Sequence, residues 1–388
     1  MGIKKLKFCT RSRKVRFLFF LHSLLRTFRK KHTPLPPEKV NSILICNWAN
    51  LGDVLLATSI IPALKEKWPQ AKIGFLTSPT SKIVLQDHPL IDTVHIASNW
   101  KQRVLNASFF RRFLTFLHIC ISSNTLFIEE IKNQYYDLAI DTHPFFPNCS
   151  YILRKARIPY FLEFSSAGLH LPQTCAIDFP KKLEYLPKMY CSLLQALNIA
   201  PQPLNPCFHF THTSPLKGQE YIVLHMGTTE VRREWSTGHW ITLARTLAQE
   251  GKTIVFTGQG KREAKAIQEV TSFLPHFINL CDQLNWSEFI SVIKDAKTLI
   301  SVNTVSVHLA AYLGTPCIAL YFATYHPELW MPDYGSIHFL IEENSHVYLS
   351  DASFFKQRKN ITQVAKITPQ DVYLKSLSYL SVNGGIWV

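Results

Sequence analysis

Ile43-Leu-Ile-Cys-Asn-Trp-Ala-Asn-Leu-Gly-Asp-Val-Leu-Leu-Ala-Thr-Ser-Ile-Ile-Pro62 decides how the rest of the chain is read. The apolar run from Ile43 to Cys46 breaks at Asn47, the chain turns through Gly52 and Asp53, and apolar residues then recur at helical spacing. Such a pattern is a strand, a loop and a helix start. In an open α/β sheet, ligands gather at the carboxyl ends of the strands, where loops are free and helix N-termini face outward. Asp53 therefore has two readings. It is either a helix cap satisfying backbone N–H groups or a carboxylate placed where it can do chemistry.

Downstream, Lys72–Leu76, Thr93–Ile96 and Leu138–Asp141 read as further strands, and Thr58–Trp68 as a helix that stops at Pro69. Strands alternating with helices argue for parallel βαβ units. Val104 to Glu130, rich in Phe, Leu and Arg, reads as an amphipathic helical insertion or an ordinary core helix. Pro201, Pro203, Pro206 and Pro215 then interrupt any regular element and mark a linker. A second alternating series follows. Its strands are Tyr221–His225, Thr253–Thr257, Phe277–Asn279, Thr298–Val302 and Cys317–Tyr321; its helices are His239–Glu250, Arg262–Phe273, Trp286–Lys294 and Ser306–Leu313. Ile367-Thr-Pro-Gln-Asp371 opens one more helix. The expected class is α/β with two Rossmann-like domains and a cleft between them: an N-terminal domain over 39–205, a C-terminal one over 206–375, an arm over 1–38 and a tail over 376–388.

At 388 residues, with 47% hydrophobic and 18% charged residues, the composition suits a globular protein of two domains rather than a disordered chain. The net charge of +15 is unevenly spread. Before Val40, a dense series of lysines and arginines from Lys4 to Lys39 meets the single acid Glu38, and Thr33-Pro-Leu-Pro-Pro37 forms a stiff linker to the first strand. Within the arm, Val15 to Leu25 is too short to span a bilayer, which needs about 20 apolar residues. Its flanking basic residues suit a helix lying on an anionic membrane surface, and a merely solvated basic helix is the alternative. A signal peptide is disfavoured, because Arg26, Arg29, Lys30 and Lys31 stand where a small-residue cleavage site belongs. No zinc-finger or aromatic RNA-binding signature supports a nucleic-acid partner. The nine cysteines contain no Cys-x-x-Cys pair and read as reduced thiols of a cytosolic protein, with no zinc spacing.

In the second half, His225-Met-Gly-Thr-Thr-Glu-Val-Arg-Arg-Glu-Trp235 directly follows a strand. Its glycine allows close backbone approach, Thr228 and Thr229 supply hydroxyls, and Arg232 and Arg233 supply fixed charge; the loop suits a diphosphate or is a solvated surface turn. Ser301-Val-Asn-Thr-Val-Ser-Val-His308 follows another strand and opens a helix, a second anion site or a simple cap formed by Asn303 and Thr304. His308 is a site residue or a core histidine. Phe256-Thr-Gly-Gln-Gly260 with Glu263 can place a carboxylate on ribose hydroxyls or merely an acid in a first helical turn.

The order of these blocks over about residues 41–375 resembles the heptosyltransferase family, glycosyltransferase family 9. Leu51-Gly52-Asp53-Val54 with Pro62-Ala63-Leu64 is similar to the family's Gly-Asp segment, and Tyr136–Asp141 to the strand that faces the acceptor. His225-Met-Gly-Thr-Thr with Arg233 and Trp235 resembles the diphosphate loop, Arg233 standing where Lys is usual. Phe256-Thr-Gly with Glu263 resembles the ribose block. Asn303-Thr304-Val305 through His308, with Gly314-Thr-Pro316, is similar to the most diagnostic segment but departs from it, since the family has Asp-Thr-Gly or Asp-Ser-Gly there.

The resemblance implies the GT-B fold and an inverting transfer of a heptose or related sugar from an ADP-sugar to the lipid A–core oligosaccharide. It implies no metal and no cofactor beyond the nucleotide-sugar substrate. Asp53 would be the general base, with Gly52 and Asp141 on the acceptor side. Thr228, Thr229, Arg233, Glu263, Asn303, Thr304, Val305 and His308 would bind the donor. The acceptor would be an anionic glycolipid, met by residues 1–32 at the inner face of the cytoplasmic membrane. The rival is a non-catalytic scaffold that binds nucleotide or glycolipid during envelope assembly; Asn303 and Val305 favour it and Asp53 opposes it.

Overall fold

The computed structural model describes residues 39–97, 126–145, 149, 154–167, 174–322, 326–342, 361–364 and 366–380. The basic arm, residues 104–125 of the Phe-rich stretch and the last eight residues of the tail lie outside the described residues. The chain divides into two compact units. One takes everything to Lys181 together with Leu186–His209, and the other takes Lys182–Tyr185 and the chain from Phe210 onward.

In the first unit the described elements are β1 (Ser42–Cys46), α1 (Leu51–Ala57), α2 (Ile61–Lys67), β2 (Lys72–Thr77), β3 (Thr93–Ile96), α3 (Leu126–Lys132), β4 (Leu138–Asp141), β5 (Tyr160–Phe164), β6 (Thr174–Ile177) and α4 (Leu186–Ala196). The strands form one sheet in the order β3-β2-β1-β4-β5-β6, every neighbouring pair parallel. Ile43, Leu44, Ile45 and Cys46 are fully buried, as a parallel strand covered on both faces requires. The single helix expected over Thr58–Trp68 is instead divided. Helix α1 already begins at Leu51, a 3₁₀ turn occupies Thr58–Ile60, and Pro62 sits in the first turn of α2. Proline has no N–H to continue the helical ladder but fits the opening turn of a new helix.

Close packing shows at Gly74 of β2. A Cβ at that position would run into the ring of Tyr136, whose hydroxyl is hydrogen-bonded to Nε2 of His95 at 2.8 Å. Nδ1 of the same imidazole lies 2.6 Å from Oε1 of Glu130 on α3, so the missing side chain leaves room for a link from the sheet to a covering helix.

The second unit contains β7 (Ile222–His225), α5 (Thr237–Gln249), β8 (Ile254–Thr257), α6 (Lys261–Thr271), β9 (Ile278–Asn279), α7 (Trp286–Asp295), β10 (Thr298–Val302), α8 (Val305–Leu313), β11 (Cys317–Tyr321), β12 (Ile337–Glu342), β13 (Ile361–Val364) and α9 (Pro369–Leu380). Its all-parallel order is β13-β12-β11-β10-β7-β8-β9. Helix starts carry their own chemistry. Asn285 and Glu288 form a reciprocal capping box on α7, and Thr368 with Asp371 exchange equivalent bonds at the start of α9. The proline-interrupted stretch between the sheets has no regular element, and each end is held locally. The Cys207 amide donates to Thr58 Oγ1 at 2.9 Å in the first unit, and the Thr213 amide to Ser291 Oγ at 3.0 Å in the second.

Among the described residues, His225 and His308 are sealed into the second unit. His225 closes β7, with Nδ1 2.9 Å from Thr257 Oγ1, and His308 lies in α8, with Nδ1 3.0 Å from the Tyr185 hydroxyl. Burial disfavours the imidazolium and pushes their pKa values down to about 4 and about 3. The unfolded chain binds these protons near pH 6.5. Their contribution to stability is therefore present in full above pH 6.5 and is lost as pH falls toward the folded values, at up to about 1.4 kcal/mol per pH unit for each histidine. Urea unfolding at pH 7 and pH 5 should show the midpoint falling on acidification, and His308→Gln should flatten that fall while lowering the midpoint at pH 7.

Candidate active site

Each sheet reverses its strand order beside its own first strand: β1 lies between β2 and β4, and β7 lies between β8 and β10. At such a reversal the crossover connections leave in opposite directions and open a crevice at the carboxyl ends of the strands. The site residues collect at these two places, one in each unit.

In the first unit, the loop between β1 and α1 is built around Asn47, which is fully buried. Its Oδ1 accepts the Ala49 amide at 3.2 Å, and its Nδ2 donates to Thr142 Oγ1 at 3.0 Å and to the backbone carbonyl of Asp53 at 3.3 Å. On the other side of the loop, Ser81 Oγ donates to the Ala49 carbonyl at 2.9 Å. The N-cap of α1 is Asn50, without a side-chain cap bond, and Asp53 stands in the first turn, partly exposed at the positive end of the helix. Asp53 is thus not the capping residue. Tyr190 of α4 is buried nearby, its hydroxyl held neutral first by desolvation and then by the charge of Asp53. Gly52, the second residue of α1, takes no left-handed conformation.

Asp141, expected to face the acceptor, is fully buried instead. Its Oδ1 accepts the His143 amide at 3.0 Å and its Oδ2 the Cys149 amide at 2.5 Å. Both oxygens are occupied in shaping the loop beyond β4, which leaves no outward-facing carboxylate for a glycan. Desolvation, assisted by Glu163 opposite it on β5, raises its pKa to about 7 against the opposing effect of the two amides.

In the second unit, the loop after β7 is fastened along its length. Trp235 Nε1 donates to the Ile367 carbonyl at 3.1 Å, and Arg262 donates to the Thr228 carbonyl while pairing with Glu234 at 2.9 Å. Arg233 pairs with Glu230 at 3.1 Å, and its Nε is buried without a partner. Thr228 is buried and Thr229 exposed. Glu263, in the first turn of α6, lies over Gly227 and Gly258, where a Cβ at either glycine would strike its carboxylate, and its Oε2 accepts the Gln259 amide at 2.9 Å. Desolvation raises its pKa. After β10, Ser301 and Ser306 bridge the turn through their hydroxyls at 2.7 Å. Thr304 is the N-cap of α8 without a side-chain cap bond, its backbone extended at φ −151° and ψ −177°.

Val305 opens α8 and needs no positive φ, so the glycine usual in the family is not required here. Asn303 is nearly buried, its amide donating to the Leu320 carbonyl at 3.0 Å. His308 is also corrected. Stacked on Tyr185 with ring centroids 5.8 Å apart, 2% exposed and neutral, it organises the core under the loop and offers no charge to an anion. The structure therefore brings Thr228, Thr229, Arg233 and Glu263 onto adjacent strand ends and Asn303 with Thr304 onto the neighbouring one. Asn47, Thr142 and Arg262 escaped the sequence reading. Asn47 was visible as the polar break after β1, and Arg262 stands beside Glu263, but their partners become evident only when the strands are paired. Among the described residues no three His, Cys, Asp or Glu side chains are grouped to hold a metal ion, and no helix is long and apolar enough to cross a membrane.

Residues 185–346 match the family described as glycosyltransferase family 9 (heptosyltransferase). A lipopolysaccharide heptosyltransferase 3 of Escherichia coli is 23% identical over 298 residues, which are 72% of this chain and 83% of that protein. The glycosyl transferase family 9 structure from Veillonella parvula superposes with a TM-score of 0.69 at 18% identity, covering 90% of this chain and 100% of that one. The E. coli heptosyltransferase WaaC, solved with ADP, gives a TM-score of 0.63 at 18% identity over 81% of this chain and 98% of that one. The fold is that of the GT-B heptosyltransferases. From the family match over residues 185–346, the curated relative and the fold together, the chain is a glycosyltransferase similar to the heptosyltransferases of glycosyltransferase family 9.

Proposed function

We propose that this glycosyltransferase moves a heptose, or a closely related sugar, from an ADP-sugar to the lipid A–core oligosaccharide of lipopolysaccharide, with inversion and without a metal. The observation that carries this reading is the β7 loop. There a guanidinium with a buried, unpartnered Nε stands beside threonine hydroxyls and a carboxylate seated on two glycines. A buried guanidinium N–H without a partner at a strand end calls for an acceptor such as a phosphate oxygen, and a desolvated carboxylate one strand away suits ribose hydroxyls. That a relative was solved with ADP supports the choice of nucleotide.

In the proposed reaction the acceptor hydroxyl attacks the anomeric carbon and gives its proton to Asp53. The bond from that carbon to the diphosphate oxygen breaks, and ADP leaves with the electron pair. Arg233, Thr228, Thr229 and the amides of Thr304 and Val305 stabilise the growing negative charge, and Glu263 holds the ribose. Asn303 contacts the donor sugar through a neutral amide. Gly52 lets the acceptor approach the first turn of α1, and Asp141 serves it only by shaping the neighbouring loop. The cationic arm, residues 1–32, keeps the enzyme peripherally on the cytoplasmic face of the inner membrane, where an anionic glycolipid acceptor resides.

Asp53→Ala should lower kcat by about 10²- to 10⁴-fold, the usual contribution of a positioned base, while ADP binding persists; wild-type turnover would remove Asp53 from the chemistry. Arg233→Ala should weaken ADP binding by roughly 1.5–3 kcal/mol, the worth of hydrogen bonds to a charged group, as read by calorimetry; unchanged affinity would sink its diphosphate role. Deleting residues 1–32 should release the protein from vesicles rich in anionic lipid and spare transfer to a water-soluble acceptor. Undiminished vesicle binding would refute the arm's part.

A further inference from the structure

Asn47 has no place in the chemistry above, yet it is among the most completely committed side chains of the first unit. A primary amide offers two N–H donors and one carbonyl acceptor group. All three functions are used at full burial: Oδ1 on the Ala49 amide, Nδ2 on Thr142 Oγ1, and the same Nδ2 on the Asp53 carbonyl. Thr142 is itself fixed, because its Oγ1 donates to the Cys46 carbonyl at 3.2 Å and its amide to the same oxygen at 3.1 Å. The end of β4 is thereby joined through Thr142 and Asn47 to the first turn of α1. That tie runs across the strand-order reversal beside β1. A helix of seven residues has little rigidity of its own, so the bearing of its first turn depends on such external ties.

We propose that Asn47 is the positioning residue of the transfer reaction. By linking the Asp53 carbonyl to Thr142 it fixes the first turn of α1 and, with it, the direction of the Asp53 carboxylate. The inference rests on the reading of Asp53 as the base. A misplacement of about 1 Å in a reacting group can cost 10²-fold in rate, so a small rotation of this turn would act on kcat rather than on donor binding.

The test compares Asn47→Ala, Thr142→Val and Asp53→Ala, alone and as the Thr142→Val/Asp53→Ala double variant, in single-turnover transfer assays with donor KM, ADP affinity and melting temperature measured alongside. Thr142→Val removes the acceptor of Asn47 while keeping the volume of the side chain, and it decides the matter if Asn47→Ala does not fold. Asn47→Ala and Thr142→Val should each lower kcat by about ten- to a hundredfold with donor KM and ADP affinity within twofold of wild type. In the Asp53→Ala background Thr142→Val should cause no further loss, because residues acting through one group are not additive. If both single variants keep wild-type kcat while Asp53→Ala is inactive, Asn47 is not a positioning residue and the base assignment stands. Losses that multiply in the double variant also overturn the proposal, since they would show Thr142 and Asn47 acting independently of Asp53. If Asp53→Ala turns over normally, the base assignment itself falls.

Discussion

The reversal of strand order beside β1 and beside β7 is the constraint on which everything else in this protein depends. Crossovers between parallel strands are almost always right-handed, so a sheet that grows first to one side of its opening strand and then to the other must send its helices to opposite faces. Loops at that point cannot be covered by either helix layer. They are the places in an otherwise closed α/β unit where a polar backbone and partly exposed charges are tolerated. Asp53, Thr229 and Arg233 stand there, while the strands that lead to them are buried along their length.

Tolerance of polarity is not the same as precision, and here the precision comes from buried polar groups beneath the exposed ones. Asn47 and Thr142 lie under the turn that holds Asp53, Asp141 gathers the amides beyond β4, and Arg262 fastens the Thr228 carbonyl. Each would be costly if left unpaired, at roughly 1–3 kcal/mol for a neutral donor or acceptor. That cost makes the paired arrangement the only stable one. A loop made of exposed residues alone would have many arrangements of similar energy. The same logic explains why Gly227 and Gly258 face Glu263: a carboxylate packed against bare backbone has its range of positions cut by contact rather than by further hydrogen bonds.

Much of the architecture was legible along the chain because its signals are local. Ile43 to Cys46, Thr298 to Val302 and Cys317 to Tyr321 are apolar runs bounded by turns, and they proved to be strands within a residue or two. The Thr368–Asp371 start of α9 announced itself through spacing alone. Strands β5, β6, β12 and β13 were not read. Tyr160–Phe164 carries Glu163, a fully buried carboxylate, in an otherwise apolar run. Asp141 misled for a different, local reason. An acid at a strand end looks exposed until the amides of His143 and Cys149 are seen to consume it. His308 lies in the most diagnostic segment yet points into the core, a distinction made by Tyr185, which is more than a hundred residues away.

The departure at Asn303-Thr304-Val305 now separates into two parts with different physical weight. Loss of the glycine carries no backbone penalty, because Val305 is an ordinary first helical residue and the extended conformation belongs to Thr304. Loss of the carboxylate is an electrostatic change. The amino end of α8 carries the partial positive charge of its unpaired amides, and an acid immediately before it would offset that charge. A neutral Asn leaves it in place, strengthening the attraction for an anion while giving up a charged hydrogen-bond acceptor for sugar hydroxyls. This substitution therefore alters both the field that the helix end offers to an anion and the acceptor that it offers to sugar hydroxyls.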